Sequence, residues 1–454
     1  MASIVKRNSK YSVVYYADVD GKRKQMWESF DTHKEASKRR AEVEHEIDDG
    51  VFIPPSKQTV SAFLDDFISL YGEENWSLST YSSNVGMIDN YIKPHIGNEL
   101  VQNITPKFVD QYYKRLKKSK PVASELRRSK SLYVGPSVVD NVHKLLRCAF
   151  RQAVRWEIIK RNPFELVKAP KTAYAPRDIW TAETIRKALD ACTDSRLYIA
   201  MNLAFACSLR VGEILGLTWD NVHVEKKDIA REDAYVYVEK ELQRASVKAI
   251  EALDQKDVIR VFPSVQHDPK TRVVLKTPKT KSSIRKVWLP KTVAYILREY
   301  RQQQKVLKNL LQDEYEDYSL VVSMPNGRPC EERLIAESFQ RLKERAGLPN
   351  VVFHSLRHSS TTYKLKLNKG DLKATQGDTG HAEIDMITKV YAHILDEDRK
   401  LNAQKFEAAF YANPDLRGVK PPESAPGGLD AQELVEQLRK SPELLKELAQ
   451  LVKT

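Results

Sequence analysis

Cysteine is scarce and unpatterned in this 454-residue chain: Cys148, Cys192, Cys207 and Cys330 form no CxxC pair. That excludes a disulfide framework and a zinc ribbon, and it points to a reducing, cytoplasmic setting. Long apolar runs are missing as well, and nothing approaches the ~20 residues needed to span a bilayer. The opening residues, Met-Ala-Ser-Ile-Val-Lys-Arg, lack the apolar stretch of a secretory signal. Negative charge is in short supply: 61 Asp and Glu stand against 74 Lys and Arg, for a net charge of +13. A membrane role is not indicated, and the cationic excess predicts a polyanionic partner.

The positive charge is concentrated rather than spread. Tyr113 to Lys130 carries eight Lys or Arg, among them Lys114, Arg115, Lys117, Lys118, Arg127 and Arg128, against one Glu. Lys276 to Lys286 adds five more and no acid, with Lys276 and Lys281 among them. Such runs neutralise phosphates and predict strongly salt-dependent binding. At 41% hydrophobic and 30% charged residues, the chain has the material for ordinary cores, and its length suits about three domains.

Four segments follow from pattern and punctuation. Residues 1–52 read as a small unit of three short strands and one helix. Tyr11 to Val19 is rich in β-formers, Asp20-Gly21 signals a hairpin, and Thr32 caps a helix with Ala36, Val43 and Ile47 on one face. Lys22, Arg23 and Lys24 lie on its strand side. After Pro54-Pro55, residues 58–170 read as a helical domain. Its apolar stripes are Phe63, Leu64, Phe67 and Leu70, then Val85, Ile88 and Ile92. Thr105-Pro106 opens a further helix, and a long one starts at Ser137. Residues 177–412 form a third domain, mostly helical with a β-rich stretch from Val222 to Leu289. Residues 413–454 hold a Pro- and Gly-bearing linker and two short amphipathic helices. The fold class is multidomain α+β.

Three boxes carry the chemistry. Cys207-Ser208-Leu209-Arg210-Val211-Gly212-Glu213 comes first, Phe353-His354-Ser355-Leu356-Arg357-His358 second. The third is Gly380-His381, with Tyr391 ten residues later. Together they supply two guanidiniums, imidazoles and a phenol. A phenol with a pKa near 10 needs a base or a positive field to act as nucleophile. Guanidiniums suit the charge that develops on a phosphorane better than lysines do. The departing oxygen needs a proton, which a lysine in a cationic pocket can give. His354 and His358, at i and i+4, have the spacing of zinc ligands, but no third ligand is evident.

These boxes, in this order and spacing, resemble those of the tyrosine recombinase (phage integrase) family, over roughly residues 177 to 410. The upstream segments are similar, more loosely, to the family's arm-type DNA-binding and helical core-binding domains. The resemblance implies that Arg210 and Arg357 clamp the scissile phosphate while His381 donates a hydrogen bond to it. It implies that His354 manages the proton of Tyr391, the nucleophile that forms a 3′-phosphotyrosyl link, and that Glu213 buttresses the site. The general acid lies, in the family, on the turn of a β-hairpin; Lys279 matches its Lys-Thr pattern best and Lys281 is the alternative.

No metal, ATP or other cofactor is implied. The implied partners are double-stranded DNA at core and arm sites, three further copies of the chain in a tetramer on two duplexes, and an excision factor or DNA-bending host protein. The implied source is the integrase of a phage or integrative and conjugative element, in a bacterial cell and on the nucleoid when bound. Two departures stand out: residues 225–266 are an insertion, and Asp378-Thr379 replaces the apolar residue common before the glycine. A type IB-like topoisomerase and a catalytically silent DNA-binding regulator are the alternatives.

Overall fold

The computed structural model describes residues 2–7, 9–19, 22–122, 131–169, 178–264, 267 and 269–367. The hairpin pair Asp20-Gly21, the basic residues Arg127 and Arg128, and the segment holding His381, Tyr391 and the tail helices lie outside them. No helix among the described residues is long and apolar enough to cross a membrane.

Near the N-terminus, β1 (Ser3–Arg7), β2 (Lys10–Val19) and β3 (Lys22–Phe30) form an antiparallel sheet in the order β1-β2-β3. Alternation along β2 sends Val13, Tyr15 and Ala17 inward, against Ala36 and Val43 of α1 (His33–Asp48). Thr32 caps α1 in a reciprocal box: its hydroxyl accepts from the Glu35 amide, and the Glu35 carboxylate accepts from the Thr32 amide. Ile47, expected on the same face, is 37% exposed. It stands in the last turn of α1. On the other side of the sheet Tyr16 and Trp27 are exposed, with the guanidiniums of Arg23 and Arg7 over their rings at 4.9 and 5.1 Å.

A second core gathers residues from Val60 to Val167. It is built on α2 (Val60–Asp66), α3 (Leu78–Met87), α4 (Pro106–Leu116) and α5 (Pro136–Arg155). Thr59 and Thr105 cap α2 and α4 with their hydroxyls. Phe63, Leu64 and Phe67 are fully buried as their spacing predicts, but Leu70 is 67% exposed. The cause is local: Phe67–Gly72 winds as a π-helix, whose wider turn rotates later side chains off the 3.6-residue stripe.

The third core runs from Trp180 to Leu356. Its helices are α6 (Ala182–Asp190), α7 (Ser195–Ala206) and the short α8 (Val211–Leu215). The β-rich stretch resolves into two three-stranded antiparallel sheets. One has the order β4 (Val222–His223), β5 (Tyr235–Val238), β9 (Arg285–Trp288). The other has the order β6 (Glu241–Ser246), β8 (Thr271–Lys276), β7 (Val258–Val261), with α9 (Val247–Ala252) between β6 and β7. Three longer helices follow: α10 (Lys291–Leu311), α11 (Glu332–Ala346) and α12 (Ser355–Leu367). At Gly216 a β-carbon would stand 2.7 Å from the Glu241 backbone, so only glycine lets the end of α8 meet β6 this closely.

The insertion has a partner within the chain. Leu78 of α3 is buried among Ala245, Ala249, Ile250, Leu253 and Val274. Ser82 and Ser246 share a hydroxyl hydrogen bond of 3.0 Å, and Lys256 donates to the Glu74 carbonyl. The helix of the insertion, α9, thus docks on the helical lobe.

Candidate active site

The first box begins where α7 stops. Cys207 caps that helix, and Ser208 turns the chain with a left-handed φ of 55°, a conformation that costs a non-glycine residue on the order of 1 kcal/mol. Long-range bonds hold the turn. The Ser208 hydroxyl meets that of Ser360 at 2.6 Å, and the Arg357 guanidinium donates to the Ser208 carbonyl. Two residues on, Arg210 is the N-cap of α8. The second box opens α12, so Arg357 reaches the turn that sets Arg210 across 149 positions of sequence. Arg357 is 2% exposed. Arg210 keeps a side-chain exposure of 36%, open to a ligand.

Glu213, 1% exposed, ties the site together. Its carboxylate accepts from the Arg210 amide at 2.9 Å and from Arg210 Nη1 at 2.8 Å. It also accepts from Arg285 Nη1 at 3.3 Å and Nη2 at 3.1 Å. Burial alone would push this carboxyl up. The charge and hydrogen bonds of Arg285, with those of Arg210, outweigh it and hold the pKa below the usual range. Two guanidiniums around one ionised carboxylate leave a surplus positive charge, the sign a phosphodiester needs.

His354, half-buried, precedes α12 by one residue, and its ring lies edge-on to that of His358 at 4.9 Å. Lys279 is exposed in the connection from β8 to β9. Those strands pair in different sheets, so among the described residues this connection is not the turn of one hairpin, as the resemblance had suggested. Lys281 opens a short 3-10 turn, Lys281–Ser283. His381 and Tyr391 lie outside the described residues, as do Arg127 and Arg128.

The expected phosphate contacts divide by exposure. Arg23, Lys24, Lys114, Arg115, Lys117 and Lys118 are exposed; Lys22 begins β3. Lys276 differs and corrects its expected role: it is 3% exposed, and its ammonium donates to Glu241 at 2.6 Å across the β6–β8 pair. A lysine neutralised inside a sheet does not face phosphates. Arg285 is the residue that sequence reasoning left without a role. The available signal was its phase: it shares the inward side of β9 with buried Val287.

Comparison with known proteins follows the same division. The phage integrase family profile matches residues 239–398, an arm DNA-binding domain profile residues 3–47, and the N-terminal SAM-like domain of phage integrases residues 59–117. The chain is similar to a tyrosine recombinase XerC-like protein of Caldanaerobacter subterraneus subsp. tengcongensis. They are 24% identical over 384 residues, 82% of this chain and 88% of that protein. It is 22% identical to the ICEBs1 integrase of Bacillus subtilis over 382 residues, covering 83% and 90%. Among solved structures, the Tn1549 transposon integrase in complex with a circular intermediate DNA superposes with a TM-score of 0.56 at 17% identity. That match covers 77% of this chain and 99% of the other. At that identity the likeness is one of fold.

Proposed function

The chain belongs to the phage integrase family of tyrosine recombinases, and from that membership we propose that it integrates and excises a mobile element by metal- and ATP-independent strand transfer. Arg210 and Arg357 bind the non-bridging oxygens of the scissile phosphate, His381 adds a hydrogen bond, and His354 takes the phenol proton of Tyr391. The Tyr391 oxygen forms a bond to phosphorus as the bond to the 5′ oxygen breaks. Lys279 supplies the proton that makes the departing oxygen a 5′-hydroxyl, and the 3′ end remains as a phosphotyrosyl ester. One ester replaces another, so a 5′-hydroxyl from a second duplex can reverse the step and complete exchange.

The observation that carries this reading is the bond from Arg357 to the Ser208 carbonyl, which brings two boxes 149 positions apart to one turn. Guanidiniums fixed before the substrate arrives need no reorganisation as charge develops, which is where such donors act most strongly.

The division of labour follows the cores. Residues 1–52 hold arm sites through the aromatic and cationic face of their sheet. Residues 58–170 and 177–412 grip the core site in a tetramer on two duplexes, on the bacterial nucleoid. A duplex nicked beside the cleavage position tests this. The wild-type protein should accumulate a covalent adduct and exchange strands between two duplexes, and Tyr391→Phe should do neither. Relaxation by a monomer without exchange would indicate a topoisomerase, and binding without adduct a regulator.

A further inference from the structure

Arg285 is a buried cation for which the reaction scheme above has no use. Its side chain is 8% exposed, and its two terminal nitrogens fork onto the Glu213 carboxylate at 3.3 and 3.1 Å. The same carboxylate holds the guanidinium and the amide of Arg210. Arg285 Nη1 donates in addition to the Ser283 carbonyl at 2.9 Å. Ser283 closes the turn that follows Lys279: its amide donates to the Thr280 carbonyl at 3.0 Å, and its hydroxyl meets that of Thr280 at 2.9 Å. One guanidinium is thus bonded both to the carboxylate behind Arg210 and to the turn beside Lys279.

Stability alone does not account for this choice. Arg285 Nε is buried and makes no hydrogen bond among the described residues, an uncompensated loss of hydration. An apolar residue at this inward position of β9 would continue the packing of Val287, and buried ion pairs are often no more stable than the apolar groups that replace them. A lysine would not serve equally either, because its three donors radiate from one nitrogen and lack the planar fork that meets both carboxylate oxygens from separate nitrogens.

We propose that Arg285 is a positioning residue that sets Arg210 through Glu213 and the Lys279 turn through Ser283, so that phosphate clamp and proton donor are held in register. The proposal rests on the roles given above to Arg210 and Lys279. It predicts two separable defects from one substitution: a weakened clamp, and a proton donor out of place.

The test uses the full chain and nicked core-site duplexes with either the natural 5′ oxygen or a bridging 5′ sulfur, whose departure needs no proton. Arg285→Gln and Arg285→Lys should form adduct about 10²-fold more slowly on the oxygen substrate, the scale for loss of one preorganised donor. The sulfur substrate should return part of that loss, since only the proton-donor half is bypassed. Lys279→Ala should be restored almost fully by sulfur. If it is not, the assignment of Lys279 fails, which is distinct from failure of Arg285. Glu213→Gln combined with Arg285→Gln should be no slower than Glu213→Gln alone on the sulfur substrate, because both act there through one carboxylate. Core-site affinity and unfolding temperature, measured alongside, separate positioning from misfolding, and Arg285→Lys retains the charge should Arg285→Gln fail to fold. Wild-type rates on both substrates, or an equal loss on both with no sulfur rescue, would overturn the proposal.

Discussion

Replacing Leu78 by alanine should loosen the helical lobe from the insertion while leaving both lobes folded. Leu78 is 1% exposed, and its buried neighbours Ala245, Ala249, Ile250, Leu253 and Val274 all belong to the insertion and β8. The side chain therefore fills a space between lobes, and its loss falls on their contact. Leu→Ala at buried positions costs about 2–5 kcal/mol. A middle value of about 3 kcal/mol lowers the docked-to-undocked ratio roughly 10²-fold, at ~1.4 kcal/mol per decade. Ile250→Ala should act alike, and the pair should be less than additive because the residues share one cluster. Hydrogen exchange at the amides of α9 reads the docked population, and calorimetry reads the coupling: one transition in the wild type, two in the variants. Unchanged α9 protection together with a single transition at the wild-type temperature would refute the argument.

Glu213→Gln should destabilise the third domain by about 3–5 kcal/mol, since it strands the buried Arg285 charge; chemical denaturation measures it. The folded pKa of Glu213 is depressed, so its contribution is present above the unfolded value of about 4.3 and is lost as pH falls through the folded one. Wild-type stability should therefore decline on acidification below that value, and the decline should be shallower in Glu213→Gln. Lys276→Met should leave adduct formation unchanged, because its ammonium is committed to Glu241, whereas Lys279→Met should abolish most of it; a single-turnover assay distinguishes them. Arg7→Ala and Arg23→Ala should weaken arm-site binding, each lowering the salt slope by about 0.9 in titrations at several salt concentrations, with core-site binding unaffected.

What was legible in the chain was local. Thr32 and Thr105 announce helices because a cap and its helix lie within four residues, and both hydroxyls accept from the expected amides. The Arg210 and His354 boxes are short and dense, and with Gly380-His381 and Tyr391 their order and spacing made them recognisable together, where each alone is weak. What the reading missed depends on partners far away in sequence. Lys276 looked like one more phosphate ligand because Glu241 stands 35 residues earlier. Arg285 had no visible role because its carboxylate lies 72 residues away. The partner of the insertion was not legible because Ser246 meets Ser82 across 164 residues. Leu70 failed for another reason: a π-turn changes the period on which stripe counting depends.

The Ser208 turn also has a consequence for the order of folding. Its bonds to Arg357 and Ser360 join segments separated by 149 and 152 residues, and the Trp180 amide reaches the Ser359 hydroxyl across 179. Closing such loops costs entropy that only late contacts recover. During synthesis the helical lobe, whose core ends by Val167, can form while α12 is still unmade. A nascent or truncated chain therefore acquires the folded helical lobe before Arg357 can reach the turn that sets Arg210. The join between the two boxes is therefore a property of the finished fold, absent from any chain that stops short of Arg357.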